Sequence, residues 1–451
     1  MSHFRRCDRD TPYLLPPSVD EWLPKDHLAR FVVDIVEQLD LSALTRQYRG
    51  AGSAAYHPGM LVALLIYGYA TGTYSSRRIE QATYESLAFR YIAANTHPDH
   101  DTLCAFRTRF LQDIEQLFLQ VLCIAQQMKL LKLGTVALDG TKLHANASRH
   151  SALSYGHAEK IEAQLAAEVK ELLARAEAAD AEPLLEGLNI PEELARREAR
   201  LKAIGKAKAE IEARAAERFA HEQAGYEAKR KAREEQTQRS GKKPRGGPPT
   251  PPTLGPRAED QINLTDPDSR IMPAPGGAFE QSYNAQAAVD TNTMLVVATE
   301  LTQAANDKQQ VAPMLVTLAE LPEDLGKVTE LLADAGYFSE ANVLACVDES
   351  IEPLFAAGRE SHHRPWQERF GEPPPLVPKA DAVQRMRHRL KTRAGRVLYG
   401  KRKQTVEPVF GVIKAVMRFR QFLLRGLEAV RGEWALVTMA WNIRRMAVLM
   451  G

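Results

Sequence analysis

A charged stretch of about eighty residues separates the two parts of this chain that carry strand patterns. From about His157 to Gln238, Ala, Glu, Lys and Arg dominate, which predicts a long charged helix or a helical hairpin. The Pro-, Gly- and Lys-rich segment 241–257 follows and predicts a linker without a packed core. The insert therefore falls between the first predicted strand and the predicted hairpin.

The first 132 residues carry the periodicity of helices. Apolar residues recur at helical spacing, and one segment starts at a proline and stops near a glycine. The segments concerned are 27–40, 58–72, 75–93 and 98–111, the last with Asp99 or Asp101 as its expected N-cap. We therefore expect an all-α N-terminal region over residues 1–132.

The last two of these helical segments are joined by the short stretch ANTHP. Arg107 and Arg109 lie on the second segment, so the pair is compatible with a helix-turn-helix that contacts DNA. A plain helical bundle with solvated arginines is the alternative, and helix pairs of that kind are common. Local sequence alone leaves both interpretations open.

Strand patterns appear before the insert and again after it. They predict strands at 133–148, 279–290, 293–302, 327–334 and 351–358, with a helix near 307–321 and another that begins at Ser339. The pair 279–290 and 293–302 flanks the turn-like DTN and predicts a hairpin. Hairpin strands followed by strand–helix units predict a mixed sheet flanked by helices.

Three acidic residues have notable positions in this pattern. Asp139 follows an apolar run on the first strand, and Asp334 follows the apolar end of a later strand. Glu407 lies in an apolar-striped helix for which Thr405 is the expected N-cap, with Pro408 in the first turn. Lys414, seven residues after Glu407, should lie on the same helix face, and Arg418 one turn further.

Positive charge is concentrated around Glu407. Residues 381–431 contain fourteen Lys or Arg and three acids, a net charge of +11, whereas the whole chain has +2. Such a local excess predicts a binding site for a polyanion. The alternative is a solvated charged face.

Carboxylates at strand ends and helix starts can converge although they are distant in sequence. Hard divalent cations such as Mg²⁺ take oxygen ligands, and two ions about 4 Å apart can act on one phosphodiester. Surrounding cations would then hold the DNA backbone against an acidic site. Taken singly, an Asp in LDG or ADAG is more often a turn or capping residue.

Several protein classes are disfavoured. Four scattered cysteines, Cys7, Cys104, Cys123 and Cys346, form no CxxC pair, which argues against a zinc site or a disulfide framework and suits a reducing cytosol. The N-terminus has no apolar signal core. The apolar runs 60–70 and 434–443 are too short to span a membrane and predict core helices. We expect a cytoplasmic protein without a membrane partner.

Six stretches carry a resemblance to a known family. They are AAYHPGMLVALLIYGYATGTYSSRRIE (54–80), ALDGTKLHANAS (137–148), TDPDSRIM (265–272), YNAQAAVD (283–290), ADAGYFSEAN (333–342) and VEPVFGVIK (406–414). In this order, over nearly the whole chain, they resemble the DDE transposases of bacterial insertion sequences. The similarity is greatest to the insertion-sequence-five-like group, especially its eleven-eighty-two type.

The resemblance implies an α/β (α+β) fold: an RNase H-like catalytic core with a mixed sheet, an all-α N-terminal domain before it and a long helical insert within it. The implied boundaries are 1–132 for the DNA-binding domain, 133–156 and 258–451 for the core, and 157–257 for the insert and linker. The two aspartates of the family match Asp139 and Asp334, and its glutamate matches Glu407. These three residues would be catalytic and would bind two Mg²⁺ ions, which Mn²⁺ could replace.

The family's C-terminal pattern is Tyr-x2-Arg-x3-Glu-x6-Lys. Glu407 and Lys414 keep its spacing, whereas Tyr399 and Arg402 lie one residue too far upstream; Lys403 restores the spacing of the cation. The residues expected to contact DNA are Lys414, Arg402, Lys403, Arg418, Arg107 and Arg109.

The resemblance implies a transposase that binds the ends of its element, cuts there to expose a 3′-OH, and joins that end to target DNA. Its partner would be double-stranded DNA, both the terminal inverted repeats of the element and the target. It would act on DNA as a homodimer or higher oligomer, in the cytoplasm at the bacterial nucleoid. A metal nuclease that cuts without joining and a transposase-derived regulator without catalysis are the alternatives. The presence of all three acids favours an enzyme.

Overall fold

The computed structural model describes residues 18–48, 55–178, 189–241, 246–274, 276–358 and 371–451. The first 17 residues of the expected N-terminal domain, Cys7 among them, lie outside this set, as do Ala54 of the first family-like stretch and parts of the insert and linker. The described chain divides into two compact units. One comprises residues 1–145 and 271–451, and the other residues 146–270.

The N-terminal part of the first unit is helical, as the sequence predicts. Its helices are α1 (Val19–Trp22), α2 (Leu28–Glu37), α3 (Ser42–Thr45), α4 (Pro58–Thr71), α5 (Ser76–Glu85), α6 (Leu87–Ile92), α7 (His100–Arg109) and α8 (Leu111–Gln127). Asp99 is the N-cap of α7 and accepts a hydrogen bond from the Thr102 amide. The predicted helix 75–93 is divided at Ser86, whose extended backbone ends α5.

A mixed sheet forms the centre of the first unit. Its strands are β1 (Leu133–His144), β4 (Arg270–Pro273), β5 (Phe279–Asp290), β6 (Val296–Thr302), β7 (Gly326–Ala333) and β8 (Glu352–Phe355). The order is β4-β5-β1-β7-β8, and β6 also pairs with β5. Strands β1, β5 and β6 pair antiparallel, whereas β7 pairs parallel with both β1 and β8. The predicted hairpin and mixed sheet are confirmed.

Helices cover this sheet and connect its later strands. They are α11 (Val311–Ala319), α12 (Glu340–Asp348), α13 (Ala382–Lys391), α14 (Arg393–Ala415) and α15 (Leu427–Met450). Ser339 caps α12 as predicted. The apolar helix α15 packs against α2, α4, α8 and β6, so it joins the N-terminal helices to the sheet. Both apolar runs noted in the sequence are therefore core helices.

The second unit contains the charged insert. Helices α9 (Tyr155–Ala178) and α10 (Ile190–Ser240) pack against each other, and the short strands β2 (Ala152–Ser154) and β3 (Gln261–Asn263) pair antiparallel at their base. A small apolar cluster that includes Leu165 and Ile204 lies between the helices. Ion pairs flank it, for example Lys208 Nζ to Glu162 Oε2 at 2.7 Å. The predicted charged helical segment is confirmed, in the form of two helices that pack against each other.

Three details of the C-terminal helix prediction are wrong. The N-cap of α14 is Thr392, so Thr405 lies inside the helix and donates to the Lys401 carbonyl. Pro408 is likewise internal; its missing N–H costs the helix about 3 kcal/mol, which burial of neighbours such as Phe410 can offset. Helix α14 ends at Ala415, so Arg418 does not continue it and instead has a left-handed backbone, with φ of 61°.

No helix in the described part of the chain is long and apolar enough to cross a membrane.

Candidate active site

The pairing of β1 with β7 brings two of the predicted acids together. Ala137 of β1 lies opposite Leu332 of β7 in the parallel register. Asp139 and Asp334 each follow two residues later, so their side chains project from the same face of neighbouring strands. Strand β7 ends at Ala333, whereas β1 continues to His144 along β5. Asp139 thus lies within its strand, and Asp334 lies just beyond the end of its own.

Arg402 of α14 connects the third acid to this pair. Its Nη1 donates to Asp139 Oδ2 and its Nη2 to Glu407 Oε1, both at 3.1 Å. These contacts form although five residues, rather than the family's four, separate Arg402 from Glu407. The arginine is 8% exposed, and its Nε has no partner among the described residues. The predicted acids therefore lie around a buried guanidinium.

The charges of this cluster affect one another. The pKa of Asp139 is raised to about 6, first by burial and further by the negative charges of Asp334 and Asp307. The Gly140 amide and the Arg402 guanidinium oppose this rise. Burial lowers the pKa of Arg402, but the neighbouring carboxylates raise it by more, and Asp139 has the largest such effect. The net shift of the Arg402 pKa is upward. Arg402 remains charged and offsets part of the negative charge.

A polar network that the sequence analysis missed lies beside the predicted acids. Asp307 Oδ1 accepts hydrogen bonds from Asn284 Nδ2 at 2.8 Å and from Gln286 Nε2 at 2.7 Å. The Tyr337 hydroxyl donates to Gln286 Oε1. Asp307 lies five residues beyond the end of β6 at Thr302, whereas Asp334 directly follows β7. The sequence predicts a helix near 307–321, and no local strand-end signal marks Asp307.

Two glycines leave room between these acids. A Cβ atom at Gly140 would overlap Gln286 Nε2 and lie 2.8 Å from Asp307 Oδ1. A Cβ atom at Gly336 would lie 2.9 Å from Asp334 Oδ1 and 3.7 Å from Asp307 Oδ2. Any larger residue would therefore disturb the carboxylates, which explains why LDG and ADAG each carry glycine near the acid.

The chemistry of the acidic residues fits a hard divalent cation. Carboxylate oxygens are the ligands that Mg²⁺ takes from proteins, usually one or two together with water and substrate phosphate. In the described part of the chain, no three acidic, histidine or cysteine side chains are arranged to hold a metal ion. Arg402 occupies the position between Asp139 and Glu407, so this conformation neutralises them with a guanidinium.

Family comparisons address the same regions. Residues 259–443, which include Asp334, Arg402 and Glu407, match the family described as Transposase DDE domain. Residues 17–109, which include most of the N-terminal helices, match the family described as Transposase domain (DUF772). The chain belongs to the DDE transposases. Comparisons with curated proteins and with solved structures give no match.

The basic side chains in segment 381–431 of the transposase have different environments. Lys414 Nζ donates to the Lys142 carbonyl at 3.0 Å, and burial lowers the pKa of Lys414. This bond ties the end of α14 to β1, the strand that carries Asp139. Lys403 is exposed, and so is Arg418 beyond the end of the helix. Lys403 and Arg418 are thus the better placed to meet a phosphate.

The two arginines of the expected helix-turn-helix also differ. Arg107 is 5% exposed, and its Nη1 donates to the Tyr69 hydroxyl at 3.1 Å and to the Tyr74 carbonyl at 3.3 Å. It lies in the interior and not on a surface that DNA can approach. Arg109 is exposed, donates to the Gln47 carbonyl and lies over aromatic rings.

Proposed function

We propose that this DDE transposase binds the ends of its insertion sequence, cuts the DNA there and joins the freed 3′-OH ends to target DNA. The observation that carries the proposal is the gathering of Asp139, Asp334 and Glu407 around Arg402, in a chain that matches the transposase DDE domain. Carboxylates that can hold divalent ions beside a phosphodiester are what metal-assisted phosphoryl transfer uses.

The catalytic core is proposed to be RNase H-like, over residues 133–156 and 258–451. Three antiparallel strands followed by two parallel strands with intervening helices support this assignment. Residues 1–132 would then be the DNA-binding domain, and residues 157–257 an insert of the core. The charged hairpin is proposed to contact DNA or another protomer.

Asp139, Asp334 and Glu407 are proposed to hold two Mg²⁺ ions, which Mn²⁺ can replace. Bound divalent ions would stabilise the negative charge that develops at the reacting phosphate. They would also lower the pKa of a water molecule bound to them, which makes it a better nucleophile. Arg402 holds Asp139 and Glu407 in place, and we infer that it releases at least one of them when cations and DNA arrive. The half-exposed Glu407 side chain can move more freely than the buried Asp139.

The reaction is proposed to proceed by two displacements at phosphorus. In the first, a water oxygen attacks at the end of the element and the bond to the 3′ oxygen breaks, which leaves a 3′-OH. In the second, that hydroxyl attacks a phosphate of target DNA and displaces another 3′ oxygen. The acidic cluster keeps the reacting groups in position, and exposed cations such as Lys403 hold flanking phosphates.

The DNA partner is proposed to be double-stranded, as terminal inverted repeats and target. A homodimer or higher oligomer would bring the two ends of the element together. The protein is then proposed to act at the bacterial nucleoid, where its substrate is. The exposed Arg109 and the basic segment 381–431 support a DNA partner through their charge.

Purified full-length protein, incubated with its own element ends, target plasmid and Mg²⁺, tests the proposal. We expect cleaved ends with a 3′-OH and joined products on a sequencing gel. Cleavage without joined products would instead identify a nuclease. Specific binding to the ends without any cleavage would identify a regulator.

Lys403 provides a test of the DNA-contacting surface. Lys403→Gln is expected to weaken binding to end DNA and to reduce the slope of log K against log salt by about one unit, since a phosphate contact contributes about 0.9 per charge. Preference for the terminal repeat should change little, because phosphate contacts carry no sequence information.

The control for this measurement is Lys327→Gln. Lys327 is an exposed lysine at the start of β7, the end of the strand opposite Asp334, and should leave the slope unchanged. Equal slopes for wild type and Lys403→Gln would remove Lys403 from the DNA interface.

A further inference from the structure

Asp307 is fixed in position through one of its two carboxylate oxygens. Oδ1 accepts from the amide groups of Asn284 and Gln286, and Asn284 also donates to the Ala304 carbonyl at 3.1 Å. Gln286 is fully buried, and the Tyr337 hydroxyl fixes its other end. The loop that carries Asp307 is thereby attached to β5, the neighbour of β1. Such bonds determine where the second oxygen lies.

That second oxygen faces the predicted acids. Both Asp307 Oδ2 and Asp334 Oδ1 lie within 4 Å of the position of a Cβ atom at Gly336, at 3.7 and 2.9 Å. Oδ2 receives no hydrogen bond from the described residues, and Asp307 is partly exposed, so this oxygen is open to solvent. It is available to a ligand that enters between Asp307 and Asp334.

The charge around this space is unbalanced. Asp139 lies close enough to Asp334 and Asp307 to feel their negative charges, and Arg402 bonds to Asp139 and Glu407. Gathering like charges in a partly buried place costs free energy unless a cation offsets it. The amide anchors nevertheless hold Asp307 beside the others. A cation bound beside Asp307 and Asp334 would offset the repulsion between these carboxylates.

We propose that Asp307 is a fourth carboxylate of the transposase's divalent-cation site, with Oδ1 as its anchor and Oδ2 as its ligand oxygen. The inference rests on the proposed function and adds a residue to it. Oxygen ligands from short loops suit Mg²⁺ and Mn²⁺, and a pre-anchored carboxylate loses little conformational entropy when it binds.

Asp307→Asn separates the two roles of this side chain. The amide keeps an oxygen that can accept from Asn284 and Gln286, but it removes the charge. In protein without DNA, titrated with Mn²⁺ in a calorimeter, we expect binding about 10- to 100-fold weaker than in wild type, the range seen when groups that support a metal site are lost. In EDTA its thermal midpoint should equal or exceed that of wild type, because like-charge repulsion is relieved.

Asp324→Asn is the matched control. Asp324 is exposed and lies before β7, at the end of that strand opposite Asp334, roughly 25 Å away at about 3.3 Å per residue. The same substitution there should leave Mn²⁺ affinity unchanged. Equal Mn²⁺ affinity for wild type and Asp307→Asn would overturn the inference. If the thermal midpoint of the variant in EDTA also fell, Asp307 would have a purely structural role.

A measurement on the wild-type chain keeps the inference testable if the variant does not fold. Fe²⁺ bound in place of Mg²⁺, with ascorbate and peroxide, generates radicals that cut the backbone near the ion. Cuts beside Asp307 as well as beside Asp139 and Asp334 are expected; cuts at the latter two alone would overturn the role of Asp307. If wild type cuts and joins DNA while Asp307→Asn binds Mn²⁺ normally, only this inference fails. If wild type neither binds Mn²⁺ nor cuts DNA, the proposed function fails with it.

Discussion

Asp139→Asn, Asp334→Asn and Glu407→Gln are each expected to lower DNA cleavage by about a thousandfold or more. A cation at the reacting phosphate is worth several kcal/mol, and each 1.36 kcal/mol is a factor of ten in rate. Each amide keeps the shape of the acid and one acceptor oxygen but loses the charge that holds a cation. Gel assays of 3′-end cleavage with element DNA and Mg²⁺ measure the loss.

Binding to element ends should survive in the same variants. Removal of a carboxylate beside a phosphate reduces repulsion, so affinity at fixed salt should equal or exceed that of wild type. Asp348→Asn, on the exposed end of α12, is the control and should cut normally. Substantial Mg²⁺-dependent cleavage by any of the three variants would exclude that residue from the site. Loss of both binding and cleavage would show that the substitution had damaged the fold.

The fold was predictable where its signals are local. The hairpin of β5 and β6 follows from alternating segments around a short turn, and Ser339 marks the start of α12 by its capping chemistry. The start of α14 was not predictable in this way. Thr405 and Pro408 mimic a helix start, but packing of the helix against β1 extends it back to Thr392.

The site was predictable only in part, for a similar reason. Asp139 and Asp334 each follow an apolar strand segment, and a resemblance to the family indicated Glu407. Arg402 reaches both Asp139 and Glu407 because its helix packs against a strand more than 250 residues earlier in the chain. No local sequence pattern encodes that contact. Asp307 was missed because its place beside the acids is set by the pairing of β5 with both β1 and β6.

Arg107 shows the same difficulty with a charged residue. In the sequence it belongs to a cationic helix after a short turn, a pattern typical of a DNA-contacting element. In the structure it faces inward, because α7 packs where the fully buried Glu433 of α15 supplies an opposite charge. Only the tertiary partner distinguishes a buried arginine from a solvated one.

Glu433 and Arg107 define a polar network that joins three parts of the transposase. Glu433 Oε1 accepts from the Tyr69 hydroxyl at 2.7 Å, and its Oε2 accepts from the amides of Leu423 and Leu424 at 2.9 and 3.0 Å. Tyr69 in turn accepts from Arg107. Helix α4, helix α7 and the loop that follows the Glu407 helix therefore meet at one buried carboxylate.

Glu433→Gln and Arg107→Met are each expected to lower the free energy of unfolding by about 3–5 kcal/mol, because each leaves the other charge buried without compensation. The double variant should lose about 1–3 kcal/mol less than the sum of the single losses, since neither charge then remains. Urea denaturation measures all three. Trp434, adjacent on α15 and fully buried, provides a fluorescence signal for the loss of this packing.

The control is Glu428→Gln on the same helix. Glu428 pairs with Arg431 at 3.0 Å, but its side chain is 73% exposed, so the change should stay within about 0.5 kcal/mol. If the single losses for Glu433 and Arg107 add within about 0.5 kcal/mol, the two charges do not interact and the network argument is wrong. If they couple as expected, the N-terminal helices are energetically linked to the loop that follows α14. Disruption of this pair should then also weaken cleavage, although neither residue contacts the acids.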